Sequence, residues 1–339
     1  RSEIVKKMSS KALVITLAVI AATASADTQR EKMEAMFYEH MEKYNLDIQD
    51  GKEFTARLEV FIANVRTIEE HNADSTKTFT MGLNQFSHLT HAEWKEAMNF
   101  GAVPPKLRSV SDKVHAEPSD MSSVPSSVDW VSAGAVTPVK NQGQCGSCWS
   151  FSTTGSVEGA YQIKNKNLVS FSEQELVSCD TSDSACNGGW MDAAFSWIKG
   201  NGGLPTEAAY PYVSGTGSVP SCNKGMSLVS GSAPSTYSDV QEGSVSAMMS
   251  AVAQQPVSIA IQADQPAFQH YSGGVLTSNC GHQLDHGVLN VGYGTLNGVD
   301  YWKVKNSWGP SWGDKGYILI ERSSSNLCGV LSAASYPIL

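Results

Sequence analysis

The first 144 residues contain no cysteine, although the chain has seven. No disulfide can brace that part, so all covalent bracing falls at or beyond Cys145. Any Asn-x-Ser/Thr sequon is also missing, which leaves no acceptor for N-glycan-dependent sorting. Basic residues are scarce: 24 Lys+Arg stand against 33 Asp+Glu, for a net charge of -9. From Pro125 onward the balance is 9 − 15 = −6. Such a surface argues against nucleic acid or an anionic membrane as partner, and it would shed charge in an acidic compartment. Beyond the opening residues no stretch is long and apolar enough to span a bilayer. No internal repeat or low-complexity array occurs.

Residues 1–7 precede the first methionine and are read as upstream sequence or a numbering artefact. Residues 8–26 have the form of a secretory signal, with Lys11, an apolar run over 12–22 and the small-residue site Ala24-Ser25-Ala26. That route is oxidising, so cysteines pair, and an odd count of seven leaves one thiol free. The spacing leaves the pairing open. Residues 27–99 are charged and methionine-rich, with Phe54, Leu58, Phe61, Val65 and Ile68 at helical spacing. Residues 101–124, rich in Ser and Pro, read as an exposed linker. Further on, 147–164, 172–178 and 190–200 read as helices. Residues 257–261, 288–293, 301–305 and 317–321 read as strands. A helical half followed by a sheet-rich half predicts an α+β arrangement of two packed lobes with a cleft between them.

Chemistry concentrates in Gln142-Gly143-Gln144-Cys145-Gly146-Ser147-Cys148-Trp149. Cys148 stands where a helix begins, and the positive end of the helix dipole favours a thiolate. Leu284-Asp285-His286-Gly287 and Lys305-Asn306-Ser307-Trp308-Gly309 could bring it a base and an orienting amide. Beyond residue 125 the only histidines are His270, His282 and His286, and the first two read as surface residues. Cys145-Gly146-Ser147-Cys148 is also a Cys-x-x-Cys. A redox site needs a neighbouring βαβ unit, and a zinc site needs a second ligand pair; neither context is present. A catalytically silent binding protein is a third reading, against which the intact Cys148, His286, Asn306 and Gln142 speak.

These motifs resemble those of the papain family, nearest its cathepsin L-like branch. Glu53, Arg57, Val60, Phe61, Asn64, Ile68 and Asn72 fit the pro-segment signature of that branch. The second pro-segment motif fits over residues 78–88, except that His88 replaces its closing aspartate. The resemblance implies a papain-like two-lobe α+β fold, a helical lobe and a β-barrel-like lobe flanking the active-site cleft. A helical inhibitory pro-segment precedes it, over 27–124, and the mature peptidase occupies 125–339. It implies disulfides Cys145–Cys186, Cys179–Cys222 and Cys280–Cys328, with Cys148 unpaired. In that frame Cys148 is the nucleophile, His286 the base and acid that forms an ion pair with it, and Asn306 the orienter under Trp308. Gln142 is the oxyanion donor. Gly188 and Gly189 would pair with substrate backbone. Trp190, Met191, Ala260, Leu284 and Ala333 would line the pocket for the second residue before the cut, favouring a bulky hydrophobic side chain. The family needs no cofactor and no metal. Its implied partners are protein and peptide substrates, the chain's own pro-segment as intramolecular inhibitor and cystatin-type inhibitors. A monomer in the lysosome, vacuole or extracellular space is expected, made as an acid-activated zymogen.

Overall fold

A computed structural model describes residues 28–100, 111 and 113–339. The readings made for residues 1–7, the signal at 8–26 and most of the linker over 101–110 lie outside the described residues. The chain divides into two compact units, one of 28–67 with Ser87–Leu89, the other of Ile68–Phe86 and Thr90–Leu339.

In the first unit, helix α1 (28–44) and the leading part of α2 (Gly51–Ala73) bury Met33, Phe37, Leu58, Phe61, Ile62 and Val65 together. Phe54 packs on this core, so the helical spacing read from the sequence is the buried face. Asn64 Nδ2 ties the helix to Ser87–Leu89 by donating to the Ser87 and Leu89 carbonyls, at 2.9 and 3.0 Å.

The second unit begins with the end of α2, where Asn72 and Met81 exchange hydrogen bonds. It continues into β1 (Phe79–Met81) and α3 (His91–Ala97), which Thr90 and Glu93 start with a capping box. Strands β2 (Val114–His115) and β3 (Val128–Asp129) lead to α4 (Cys148–Asn165), α5 (Glu173–Cys179) and α6 (Met191–Asn201). Then follow β4 (Thr236–Val240), α7 (Val245–Val252), β5 (Val257–Ile261), α8 (Pro266–His270) and β6 (Tyr271–Leu276). Strands β7 (His286–Leu296), β8 (Val299–Lys305), β9 (Tyr317–Glu321) and β10 (Ala334–Ile338) complete it. The sheet order is β1-β6-β9-β8-β7-β5-β10-β4-β2, with β3 on β7. This is an α+β fold.

Helix α4 is buried along nearly its whole length and lies against the sheet: Ser152 Oγ donates to the Val288 carbonyl and Ser258 Oγ to that of Ser152. Two readings need correction. His270 is buried, not on the surface, because it ends α8 where that helix packs into the core; His282 is exposed. The linker is not wholly free either. Val114–His115 runs parallel along β4, where the Gln241 N–H donates to the His115 carbonyl, a backbone partner that an exposed loop would lack, and the His115 ring bonds Tyr336 Oη and Ser250 Oγ.

Candidate active site

Helix α4 starts at Cys148, and the side chain at its N-cap, Ser147, makes no capping hydrogen bond. The first helical amides therefore keep their partial positive charge beside the sulfur. Cys148 Sγ also accepts the Gly287 N–H at 3.2 Å. Glycine suits this close approach: a Cβ on Gly287 would lie 3.1 Å from the Trp149 Cα, tighter than an ordinary contact. Cys145–Cys186, Cys179–Cys222 and Cys280–Cys328 are bonded, leaving Cys148 as the free thiol. Cys145 is thus committed elsewhere, so the Cys-x-x-Cys is no redox couple.

His286 opens β7 and is buried. Its Nε2 lies 2.8 Å from Asn306 Oδ1, which also accepts the Ser307 N–H at 2.8 Å. Since that oxygen can only accept, Nε2 carries the ring proton and Nδ1 is left with its lone pair. Register explains the meeting. Leu289 pairs with Lys305 in the antiparallel β7–β8 ladder, so His286, three residues before one, faces Trp308, three after the other. Their rings stack at 4.9 Å.

Burial pushes the Cys148 thiol up to about 11, against the amides of Gly287, Trp149 and Cys148, which lower it; the charge of Asp285 adds to the rise. Burial pulls His286 down to about 4, opposed by its bond to Asn306. Both shifts run the same way, because burial away from water disfavours the charged form of each group. The Phe100 ring stands edge-on to His286 at 5.9 Å and to Trp308 at 5.8 Å. Trp94, fully buried, stands edge-on to Trp308 at 5.7 Å, and Gln85 Nε2 donates to the Trp308 carbonyl.

Gln142 is held on all sides. Its N–H donates to the Ser307 carbonyl at 2.9 Å, its Oε1 accepts the Ser307 hydroxyl at 2.6 Å and its Nε2 donates to the Cys145 carbonyl at 3.0 Å. One Nε2 proton remains for a ligand. Trp190, Met191, Ala260 and Ala333 share one apolar cluster with Leu284 packed against it, though they are scattered in sequence. Gly188 and Gly189 lie in the loop that Cys186 joins to Gly146, whose N–H meets the Cys186 carbonyl at 3.0 Å. In the same loop Ala185 is left-handed (φ 51°), a conformation that costs an L side chain and that glycine adopts freely.

Sequence reasoning missed two groups. Tyr212 donates to the Gln142 carbonyl; its only local signal is the Tyr210-Pro211-Tyr212 run. A buried ion cluster behind Asn306 carries no local signal, because its members are far apart in the chain. Lys140 bridges Glu158 (2.9 Å) and Glu173 (2.6 Å), while Lys305 donates to Thr137.

Residues 124–338 match the papain family of cysteine proteases, and 37–94 match the cathepsin propeptide inhibitor domain. A probable cysteine protease of Arabidopsis thaliana, RD21B, is 46% identical over 93% of this chain and 68% of its own length. The solved recombinant stem bromelain precursor superposes with a TM-score of 0.82 at 36% identity, covering 91% of this chain and 99% of that one. Digestive procathepsin L 3 from the larval midgut of Tenebrio molitor gives 0.79 at 38%, with 91% and 99% covered. The free cysteine at a helix start and the propeptide that precedes it thus sit in a known company: the chain belongs to the papain family, as a cysteine endopeptidase made as a zymogen with its own inhibitory propeptide.

Proposed function

We propose that Cys148 is the nucleophile of this peptidase, with His286 as base and acid, Asn306 as orienter and Gln142 as oxyanion donor beside the Cys148 backbone N–H. His286 Nδ1 takes the thiol proton, and the sulfur adds to the peptide carbonyl carbon. The carbonyl oxygen becomes an oxyanion held by the two N–H donors, each worth roughly 3–4 kcal/mol in acyl transfer. Collapse breaks the C–N bond, and His286 returns its proton to the leaving amine, leaving a thioester. Water, deprotonated by His286, then releases the acid product. One observation carries this reading: the lone free thiol stands on the amide next to a histidine whose far nitrogen is already bonded to Asn306.

The apolar cluster of Trp190, Met191, Ala260, Leu284 and Ala333 supports a preference for Phe or Leu at the second residue before the cut. With no acid at Ala333, Arg there is a poor substrate. No His-His-bearing insertion appears in the sequence, which favours internal cleavage over carboxy-terminal trimming. The signal covers 8–26, the pro-segment 27–124 and the mature monomer 125–339, acting in a vacuole, a lysosome or outside the cell and open to cystatin-type inhibitors.

Acid releases the pro-segment. Burial lowers His40 to about 4, helped by the charges of His88 and Lys43, and the His40 and His88 rings lie 5.7 Å apart. A histidine whose folded value is depressed binds protons more readily when unfolded, so this unit loses stability as pH falls from about 6.5 towards 4. The test is activation of purified zymogen across acid pH, read with a fluorogenic peptide bearing Phe-Arg before the cut and a thiol present. Activity appears on acidification and is absent in Cys148→Ala. A processed wild type that cleaves nothing sinks the reading.

A further inference from the structure

Both proposed oxyanion donors trace back to one hydroxyl outside the recognised motifs. Tyr212 Oη donates to the Gln142 carbonyl at 2.8 Å and lies 2.8 Å from Ser147 Oγ. A phenol has one proton, and the Gln142 carbonyl can only accept it. The Ser147 hydroxyl must therefore be the donor to Tyr212. That settles an oddity of α4. Serine is a preferred N-cap because its oxygen accepts from the first helical amides, yet Ser147 caps nothing. Its hydroxyl is turned to Tyr212 instead, and the amides at Cys148 stay open.

The segment that carries Tyr212 braces the Gln142 loop a second time. The Gln144 N–H donates to the Gly215 carbonyl at 2.8 Å. Gly143, left-handed at φ 62°, touches Gly215 so closely that a Cβ would lie 2.2 Å from its oxygen. The Tyr212 ring is fixed edge-on to Phe151 at 4.9 Å, and its N–H donates to Glu207 Oε1. Burial pushes the phenol up to about 12, countered in part by its bond to Ser147, so it remains a donor throughout the working range.

We propose that Tyr212 is a positioning residue that sets the spacing of the oxyanion hole by joining the Gln142 carbonyl to the Ser147 hydroxyl. This rests on Gln142 being an oxyanion donor. It acts through Gln142 and through the uncapped helix start, and it touches no substrate.

The test is a double-mutant cycle on the acid-processed full chain. It compares wild type, Tyr212→Phe, Gln142→Ala and the double variant on the Phe-Arg peptide, with rates normalised to titrated Cys148 and Tm recorded. Tyr212→Phe keeps the ring against Phe151; it lowers kcat about tenfold and leaves KM within about twofold. In the Gln142→Ala background the same change costs kcat clearly less than it does in the wild type, since one of the two donors it positions is gone. Equal losses with and without Gln142, or an unchanged kcat with a lower Tm, overturn the proposal. A neutral Gln142→Ala would instead remove the oxyanion-donor reading beneath it.

Discussion

The residues up to Phe100 and those from 124 onward are held together by different means. The first set has no cysteine; its core is Met33, Phe37, Leu58, Phe61, Ile62 and Val65, and hydrogen bonds donated by the Asn64 and Asn72 side-chain amides tie its turns. The second set has three disulfides and a buried ion cluster of Lys140, Glu158, Glu173 and Lys305. Hydrophobic and hydrogen-bonded contacts can be undone by pH and heat, whereas a cross-linked loop cannot expand freely when it opens. An inhibitor that must let go and a peptidase that must persist thus differ in the kind of bond each uses.

The comparison breaks most severely at His286. His286→Ala, processed in trans by wild type, should lose at least about a thousandfold in kcat/KM while its Tm stays within a degree or so. On the releasing side, Trp94→Ala deletes a buried ring set against Trp308 and should cost about 3–5 kcal/mol. The unprocessed zymogen should then hydrolyse the Phe-Arg peptide near neutral pH, before any cleavage is visible on a gel. On the persisting side, replacing Cys179 and Cys222 by Ser removes a link across 43 residues and should cost about 2–4 kcal/mol, lowering the Tm of the processed enzyme by on the order of 10 °C. The smallest effect sharpens the same contrast. Ala185→Gly relieves a left-handed alanine in the stapled part, so Tm should rise by about 1–3 °C.

Much of this was legible in the residues, for identifiable reasons. Phe54, Leu58, Phe61 and Val65 repeat with the helix, so local period alone marks their buried face. Cys148, His286 and Asn306 each sit in a dense local motif. Strand limits at 257–261 and 317–321 agree with β5 and β9, whereas β7 starts earlier, at His286, because pairing with Ile261 extends it. Contacts set by register or by distant partners were not legible. His270 owes its burial to how α8 packs, and His115 owes its order to the free edge of β4. Tyr212 lies 64 residues from Cys148, and only the hydroxyl's two partners reveal what it holds. The upward shift of Cys148 and the downward shift of His286 also come from burial, which no motif records.

Alkylation tests directly whether burial in the zymogen disfavours the Cys148 thiolate. Cys148 is the single free cysteine, so iodoacetamide uptake reports on it alone. The rate would be followed against pH in the intact zymogen from about pH 6 upward and in the processed enzyme from about pH 4. We expect slow labelling of the zymogen that climbs as pH rises towards about 11, in the direction that burial pushes the thiol. The processed enzyme should label quickly and nearly independently of pH down into the acid range. A zymogen that labels at pH 6 as fast as the processed enzyme would contradict it.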